Sequence, residues 1–156
     1  MKVVSTQYSQ ILAARLAKES GYELVDVRFS RFPDGELYLK TGAGGDDMVV
    51  VGSITGSDAL VELLLLIDAC QGAEVTLVIP YMGYARQDKQ FSPGEPLSAR
   101  AIAQALSQGV TRALLVNIHD PGVLRFFRVP ATQVSLAPEI GTFLEHTGFT
   151  DPLILA

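Results

Sequence analysis

Short apolar runs alternate with segments of helical period along most of this chain. The runs predict buried strands at residues 2–6, 46–54, 74–81, 112–120 and 132–136. Helical spacing is found at residues 9–21, 58–72, 97–109, 121–127 and 138–148. Because strands and helices that take turns in this way form parallel sheets with helical crossovers, the pattern predicts an α/β layer fold. We expect a mostly parallel, twisted sheet with helices on both faces.

The limits and faces of two helices can also be predicted from the sequence. Ser9 and Ser57 are suitable N-cap residues for the first two long helices, and Gly21 lies just past the end of the first. One face of that first helix carries its large apolar residues, Ile11, Leu12 and Leu16. The helix at 58–72 is apolar nearly all round, which indicates that it is covered on more than one side.

Three further segments are less regular. Residues 23–30 and 35–41 alternate apolar and polar positions, which predicts two half-exposed strands on either side of a proline turn. The glycine-rich tract at 42–47 predicts a flexible hairpin. The last apolar run, at 152–156, predicts a strand with no helix after it, and we therefore expect a chain cut at a domain boundary.

Charge and cysteine content exclude several classes of protein. The formal net charge is −5 at pH 7, so the chain lacks the broad basic face that nucleic acids require. Its single cysteine, Cys70, rules out a disulfide framework and a cysteine metal cluster. The amino terminus lacks the apolar core of a signal peptide, and the longest apolar run, at 63–67, is too short to span a bilayer. We expect a cytoplasmic protein that binds neither nucleic acid nor membrane.

Polar stretches follow several of the predicted strands, at the sheet edge where open α/β proteins bind their ligands. They are RFPDGE at 31–36, SITGSD at 53–58, YMGYARQDKQF at 81–91 and NIHDPG at 117–122. A small phosphorylated ligand needs only a few local donors and a divalent cation. An acidic chain can therefore still bind one at such an edge.

The stretch at 81–91 carries the largest set of ligand-binding groups. Arg86 offers a planar cation that can stack on a purine or contact a phosphate, and Gln87 can contact a base edge or a phosphate oxygen. Lys89 adds a second cation, and Asp88 could be its counter-ion. A solvated loop with local salt bridges would explain the same residues. The prolines and glycines on both sides favour a binding site, because a solvated loop does not need so many backbone restraints.

Two other stretches leave a structural and a functional interpretation open. His119 ends a strand before a Pro-Gly turn, where it could bind a metal held by nucleotide phosphates or hydrogen-bond a backbone carbonyl. Phe32 precedes Pro33-Asp34-Gly35, which is typical of a β-turn. Asp34 and Glu36 beside this aromatic ring could equally accept hydrogen bonds from the amino group of adenine. Spacing alone does not decide between the two.

Taken together and in this order, these stretches resemble the amino-terminal half of the ribose-phosphate pyrophosphokinase family, and more closely its archaeal members. The similarity covers the whole chain, and the sequence GYARQDKQFSPGEPLSA at 83–99 is very specific. The resemblance implies a three-layer phosphoribosyltransferase-like domain. It also implies the family reaction, in which a diphosphoryl group passes from ATP to the anomeric hydroxyl of ribose 5-phosphate, giving phosphoribosyl diphosphate and AMP.

The same resemblance assigns roles to individual residues. Arg86 would stack on adenine and, with Gln87, contact the nucleotide, while His119 would bind Mg²⁺ and the triphosphate. The turn at 32–36 would come from a neighbouring subunit, so a homodimer or larger oligomer would share the ATP site. The ATP-binding residues implied in this way are Phe32, Asp34, Gly35, Glu36, Arg86, Gln87, Asp88 and Lys89.

The chain also departs from the family pattern. Asn117 stands where bacterial and animal relatives carry an aspartate, and Arg128 and Thr132 align with acids in those relatives. The loop that grips ribose 5-phosphate and the mobile loop with a catalytic lysine and arginine do not lie within these residues. We therefore expect an amino-terminal ATP-binding domain at 1–149 and the first strand of a second domain at 150–156. Such a chain would hold no catalytic residue, bind nucleotide weakly and not turn over.

Two alternatives remain open at this point. A non-catalytic regulatory partner of the synthetase would keep the dimer surface and lack the sugar site. A type I phosphoribosyltransferase shares the fold class but should carry its acidic phosphoribosyl loop within about this length of chain, and that loop is missing. A reading frame that continues beyond Ala156 into an Asp-x-Gly-x-Thr loop would favour the synthetase.

Overall fold

The computed structural model describes residues 1–42, 47–149 and residue 153. Its strands are β1 (Lys2–Ser5), β2 (Glu23–Leu24), β3 (Val27–Arg31), β4 (Leu37–Thr41), β5 (Met48–Val51), β6 (Val75–Ile79), β7 (Arg112–Val116) and β8 (Ala131–Val134). Its α-helices are α1 (Gln10–Ser20), α2 (Ser57–Ala69), α3 (Ser98–Leu106) and α4 (Ala137–His146). Two short 3₁₀ helices cover Gln7–Ser9 and Pro121–Phe126.

Six of these strands form a parallel sheet in the order β2-β1-β5-β6-β7-β8. The remaining two, β3 and β4, pair antiparallel as a separate hairpin whose strands are half exposed. The predicted mostly parallel sheet and the predicted pair of half-exposed strands are both confirmed. Strand order places the carboxyl ends of β6 and β7 side by side, which positions the candidate site.

Helices pack on both faces of the sheet, as predicted. Successive residues of a strand point to opposite faces. In β5, Val50 belongs to the larger core cluster with residues of α2 and α3, while Val51 packs in a second cluster with Ala13 and Ala17 of α1. Beyond α1, Val78 and Leu114 line an open cavity of about 510 Å³ on the second face.

Helix α1 buries small residues rather than its large ones. Ala13 and Ala17 are buried against the sheet, whereas Ile11 is 75% exposed and Leu12 is 44% exposed. Alanines one turn apart let the helix backbone approach the strands closely. Of the three large apolar residues, Leu16 is partly buried and packs against the same cluster. Gly21 ends α1 as predicted, with a φ of 68° in the left-handed region.

The predicted serine caps differ from the structure in detail. Ser9 occupies the N-cap position of α1, but its hydroxyl accepts a hydrogen bond from the backbone N–H of Ser53 at 2.9 Å. Ser57 is the first residue of α2 rather than its cap, and Gly56 holds the cap position. The Ser57 hydroxyl pairs instead with a tyrosine in a distant loop, as described below.

Helix α2 is covered on two sides, which confirms the prediction from its composition. Leu63 and Leu66 are fully buried against the sheet. The other side packs against β4, where Leu39 joins the same apolar cluster. The hairpin therefore lies over α2, and its turn lies near the beginning of that helix.

Two predictions fall largely on residues that the structure does not describe. The strand at 152–156 and the glycine-rich hairpin at 42–47 lie outside the described residues, apart from Gly42, Asp47 and Leu153. Among the helices of the described ranges, none combines the length and apolar character needed to cross a bilayer.

Candidate functional site

A cleft of about 580 Å³ opens where β6 and β7 end. The segment that follows β6 contributes Arg86 and Gln87 to its lining, and the segment after β7 contributes Asn117 and His119. Neighbouring parallel strands deliver both segments to the same sheet edge, where α/β proteins bind ligands. The structure thus brings Arg86 and Gln87 to the same cleft as His119, which lies 33 positions after Arg86 in the sequence.

The loop after β6 is fixed to the neighbouring loop after β5 by its backbone. The N–H of Gly83 donates to the carbonyl oxygen of Ile54 at 3.0 Å. A Cβ at Gly83 would lie only 2.4 Å from that oxygen, so the backbones can approach this closely only because the residue is glycine. The next residue, Tyr84, has a φ of 64°, and Ala85 is buried beneath the loop. Arg86 therefore extends from a tightly held backbone.

Gln87 is attached to the start of α3. Its carbonyl oxygen accepts a hydrogen bond from the N–H of Ala99 at 3.2 Å, and its side-chain oxygen accepts one from the Ser98 hydroxyl. The side-chain NH₂ group remains available as a donor, because only the oxygen is engaged among the described contacts. Arg86 is exposed, and its guanidinium makes no ion pair or hydrogen bond with any residue that the structure describes. Both side chains can thus donate to a ligand in the cleft.

The charge of Lys89 acts on Asp120 in the turn that follows β7. The N–H of Gly122 donates to Asp120 at 2.7 Å, and this hydrogen bond lowers the pKa of Asp120. The positive charge of Lys89 lowers that pKa further. The two polar stretches are therefore joined electrostatically beside the cleft, and Lys89 has a carboxylate neighbour outside its own loop.

His119 lies exposed on the cleft wall. Within the described ranges its ring hydrogen-bonds no backbone carbonyl, so the structural interpretation of this histidine gains no support. Asn117 has a structural task, since its side-chain oxygen accepts from the N–H of Leu136 at 2.8 Å. Its φ of 44° is a conformation that asparagine tolerates better than most residues.

The described residues contain no group of three His, Cys, Asp or Glu side chains that could hold a metal ion on their own. Mg²⁺ prefers oxygen ligands in an octahedron and keeps several waters. A magnesium ion here would fit only if phosphate oxygens and water supplied most of its ligands, with His119 as the predicted protein ligand. That donor set suits an ion that arrives with a nucleotide.

The predicted turn at 32–36 is confirmed at the tip of the β3–β4 hairpin. The N–H of Gly35 donates to the carbonyl of Phe32 at 2.9 Å, and Gly35 has a φ of 94°. Asp34 accepts from the N–H of Glu36 at 3.1 Å, and the Phe32 ring is 50% exposed beside Tyr38. None of these turn residues lines the cleft of the same chain.

Sequence reasoning missed Tyr84 and Ser98. Tyr84 lines the cleft, and the Ser98 hydroxyl donates a hydrogen bond to the side chain of Gln87. Ser98 follows Pro96 at a predicted helix start, a signal that could have identified it. Tyr84 gave no such signal, because its conformation and its partner depend on the tertiary fold.

A family model described as the N-terminal domain of ribose phosphate pyrophosphokinase matches residues 1–109. The chain belongs to the ribose-phosphate pyrophosphokinase family. Ribose-phosphate pyrophosphokinase of Methanosarcina acetivorans is 43% identical over 100% of this chain and 56% of its own length. That of Halobacterium salinarum is 46% identical over 99% of this chain and 56% of its own length. These relatives confirm the archaeal resemblance inferred from the motifs.

The fold of a solved relative agrees with this membership. The crystal structure of phosphoribosylpyrophosphate synthetase from Mycobacterium smegmatis matches with a TM-score of 0.83 and 25% sequence identity. The match covers 93% of this chain and 51% of that one. The chain thus spans about half the length of the ribose-phosphate pyrophosphokinases that it matches.

Proposed function

We propose that this chain is the ATP-binding half of a ribose-phosphate pyrophosphokinase. The observation that carries the proposal is the meeting of Arg86, Gln87 and His119 at one cleft, in a chain of this family. The cleft volume of about 580 Å³ lies in the range of small-molecule sites. Family membership favours the pyrophosphokinase over the phosphoribosyltransferase alternative.

The free donors of the cleft suit a nucleotide. The Arg86 guanidinium is exposed and can stack on adenine, since a planar cation is attracted to an aromatic face. The Gln87 NH₂ group can donate to a base edge or a phosphate oxygen. Lys89 and His119 provide a cation and an imidazole for the triphosphate and its Mg²⁺, and Asp88 lies in the same loop as a counter-ion for Lys89.

The hairpin turn would complete the site from a second copy of the chain. Phe32 offers an exposed aromatic face, while Asp34 and Glu36 offer carboxylates that can accept hydrogen bonds from the adenine amino group. Gly35 permits the tight bend that holds these groups together. The turn is acidic and the loop with Arg86 and Lys89 is basic, so the two surfaces are complementary in charge. The proposed unit is therefore a homodimer or larger oligomer, located in the cytoplasm.

The proposed reaction is transfer of a diphosphoryl group from ATP to the anomeric hydroxyl of ribose 5-phosphate. Such a transfer depends mainly on positioning and on charge stabilisation rather than on covalent chemistry by the protein. Bound Mg²⁺ would neutralise part of the triphosphate charge. Arg86 and Gln87 would orient the nucleotide, and Lys89 would hold its phosphates.

In this proposal residues 1–149 form the nucleotide-binding domain. Residues 150–156 begin the second half, which would form the sugar-binding site. The groups that contact ribose 5-phosphate would belong to that second half. This chain alone is then expected to bind ATP weakly and to form no phosphoribosyl diphosphate. A regulatory partner without catalysis would behave in the same way, and a reading frame beyond Ala156 that encodes the sugar loop separates the two.

Arg86→Ala tests the proposal directly. Loss of the stacked cation should weaken ATP binding about 30-fold or more in calorimetric or NMR titrations with Mg²⁺. Arg100→Ala removes an exposed arginine of α3 that the proposal does not use, and its ATP affinity should equal that of the unmodified chain. Equal ATP affinity in the Arg86→Ala variant would remove Arg86 from the site, and no binding by the unmodified chain would refute the nucleotide function.

A further inference from the structure

Tyr84 combines two unusual features beside the cleft. It is one of two non-glycine residues in the described ranges with a positive φ, at 64°. A side chain with a Cβ is strained in this region, and such strain is retained where the surrounding structure enforces it. Tyr84 also lines the cleft, two residues before Arg86. Something must therefore hold this residue in an unfavourable conformation.

Burial does not hold it, since the Tyr84 side chain is 43% exposed. The hydroxyls of Tyr84 and Ser57 share a hydrogen bond of 2.7 Å. Ser57 is the first residue of α2, a helix anchored in the core through Leu63 and Leu66. The tyrosine hydroxyl is thus tied to a rigid element 27 residues away in sequence.

The segment around Tyr84 is fixed by different contacts at its two ends. Gly83 is bonded to the loop after β5 through Ile54, and Gln87 is bonded to the start of α3 through Ala99. Among the described contacts, the Tyr84–Ser57 hydrogen bond is the one side-chain link between this segment and α2. Without it the tyrosine could leave the positive-φ region, and the backbone that carries Arg86 would turn with it.

We propose that Tyr84 is a positioning residue of the nucleotide site, which holds Arg86 at the angle needed for stacking through its hydroxyl bond to Ser57. The inference rests on the proposed ATP site. Tyr84 itself is assigned no contact with the reacting groups. Its contribution is to keep the backbone before Arg86 in a conformation that the loop would otherwise leave.

The test compares three variants in ATP titrations with Mg²⁺. Tyr84→Phe and Ser57→Ala each remove one hydroxyl, and each should weaken ATP binding about five-fold, as expected for one neutral hydrogen bond. Because both variants break the same bond, the double variant should bind no more weakly than either single variant. Ser57→Thr keeps a hydroxyl and should restore most of the affinity. Tyr8→Phe is the matched control, since Tyr8 is 69% exposed and its hydroxyl has no described partner.

A second measurement needs no nucleotide. Hydrogen exchange at the amides of Gly83 and Ala99, which donate to Ile54 and Gln87 on either side of Arg86, should be faster in Tyr84→Phe than in the unmodified chain, while the free energy of unfolding stays nearly the same. Unchanged exchange at these amides would overturn the positioning role, whether or not the chain binds ATP. Absence of ATP binding by the unmodified chain would refute only the nucleotide function. Wild-type ATP affinity in Tyr84→Phe, or additive losses in the double variant, would also overturn it.

Discussion

At the scale of single residues, Gly83 shows how closely two loops must approach to build the cleft. A methyl group there would lie 2.4 Å from the carbonyl oxygen of Ile54, which is backbone and cannot move aside alone. We expect Gly83→Ala to lower the free energy of unfolding by about 1–3 kcal/mol, the usual cost of overpacking. Chemical denaturation measures this difference.

Gly141→Ala is the matched control for this substitution. Gly141 lies in α4, and nothing lies within 4 Å of the Cβ that alanine would add. Alanine should raise the stability of that helix by about 0.5–1 kcal/mol, because glycine loses more backbone entropy on folding. If Gly83→Ala were as stable as the unmodified chain, the close contact with Ile54 would not be real.

The sequence predicted the side chains that line the cleft better than it predicted the contacts of the loop that carries them. Arg86, Gln87 and His119 could be selected from the sequence because their chemistry and their places after strands agree. Tyr84 could not, since its positive φ and its partner Ser57 arise only when the loops after β5 and β6 meet. Local sequence does not encode a contact of that kind.

At the scale of secondary-structure elements, Glu62 links the 3₁₀ helix Gln7–Ser9 to α2. Its carboxylate is buried and accepts from the backbone N–H of Gln7 at 2.6 Å and from the Gln7 side chain at 3.0 Å. Glu62→Ala should lower the free energy of unfolding by about 1.5–3 kcal/mol, because two donors lose a charged acceptor. Thermal and denaturant unfolding would measure the loss.

Two comparisons bear on that prediction. Glu62→Gln keeps one oxygen for the Gln7 backbone N–H and should cost less than half as much as alanine. Glu74→Ala removes an exposed carboxylate and should leave stability within about 0.5 kcal/mol of the unmodified chain. A Glu62→Ala variant as stable as Glu74→Ala would contradict a structural role for the buried carboxylate.

Elements were predicted from the sequence more reliably than their orientation. The apolar runs gave the strands because a parallel strand buried on both faces is almost continuously apolar. Helix α1 was harder, since Ala13 and Ala17 form most of its contact with help from Leu16, while Ile11 lies exposed. The distance between the helix and the sheet decides which face is buried. The spacing of hydrophobic residues along the sequence does not predict that distance.

At the scale of the whole molecule, the cleft lies at one edge of the parallel sheet, and the turn of the β3–β4 hairpin does not line that cleft in the same chain. Arg86 and His119 line the cleft, and Phe32 with its two acidic neighbours projects from the hairpin over α2. Sequence resemblance predicted that these parts meet between chains. The geometry of one chain, in which the turn does not line its own cleft, is consistent with that arrangement.

The most direct test of a shared ATP site uses two defective chains. Arg86→Ala and Phe32→Ala chains, each expected to bind ATP poorly alone, would be co-expressed and titrated with ATP and Mg²⁺. If each site takes Arg86 from one chain and Phe32 from the other, random dimers should recover about one quarter of the wild-type sites at wild-type affinity. No recovery in the mixed dimers, from an unmodified chain that does bind ATP, would contradict a site shared between copies.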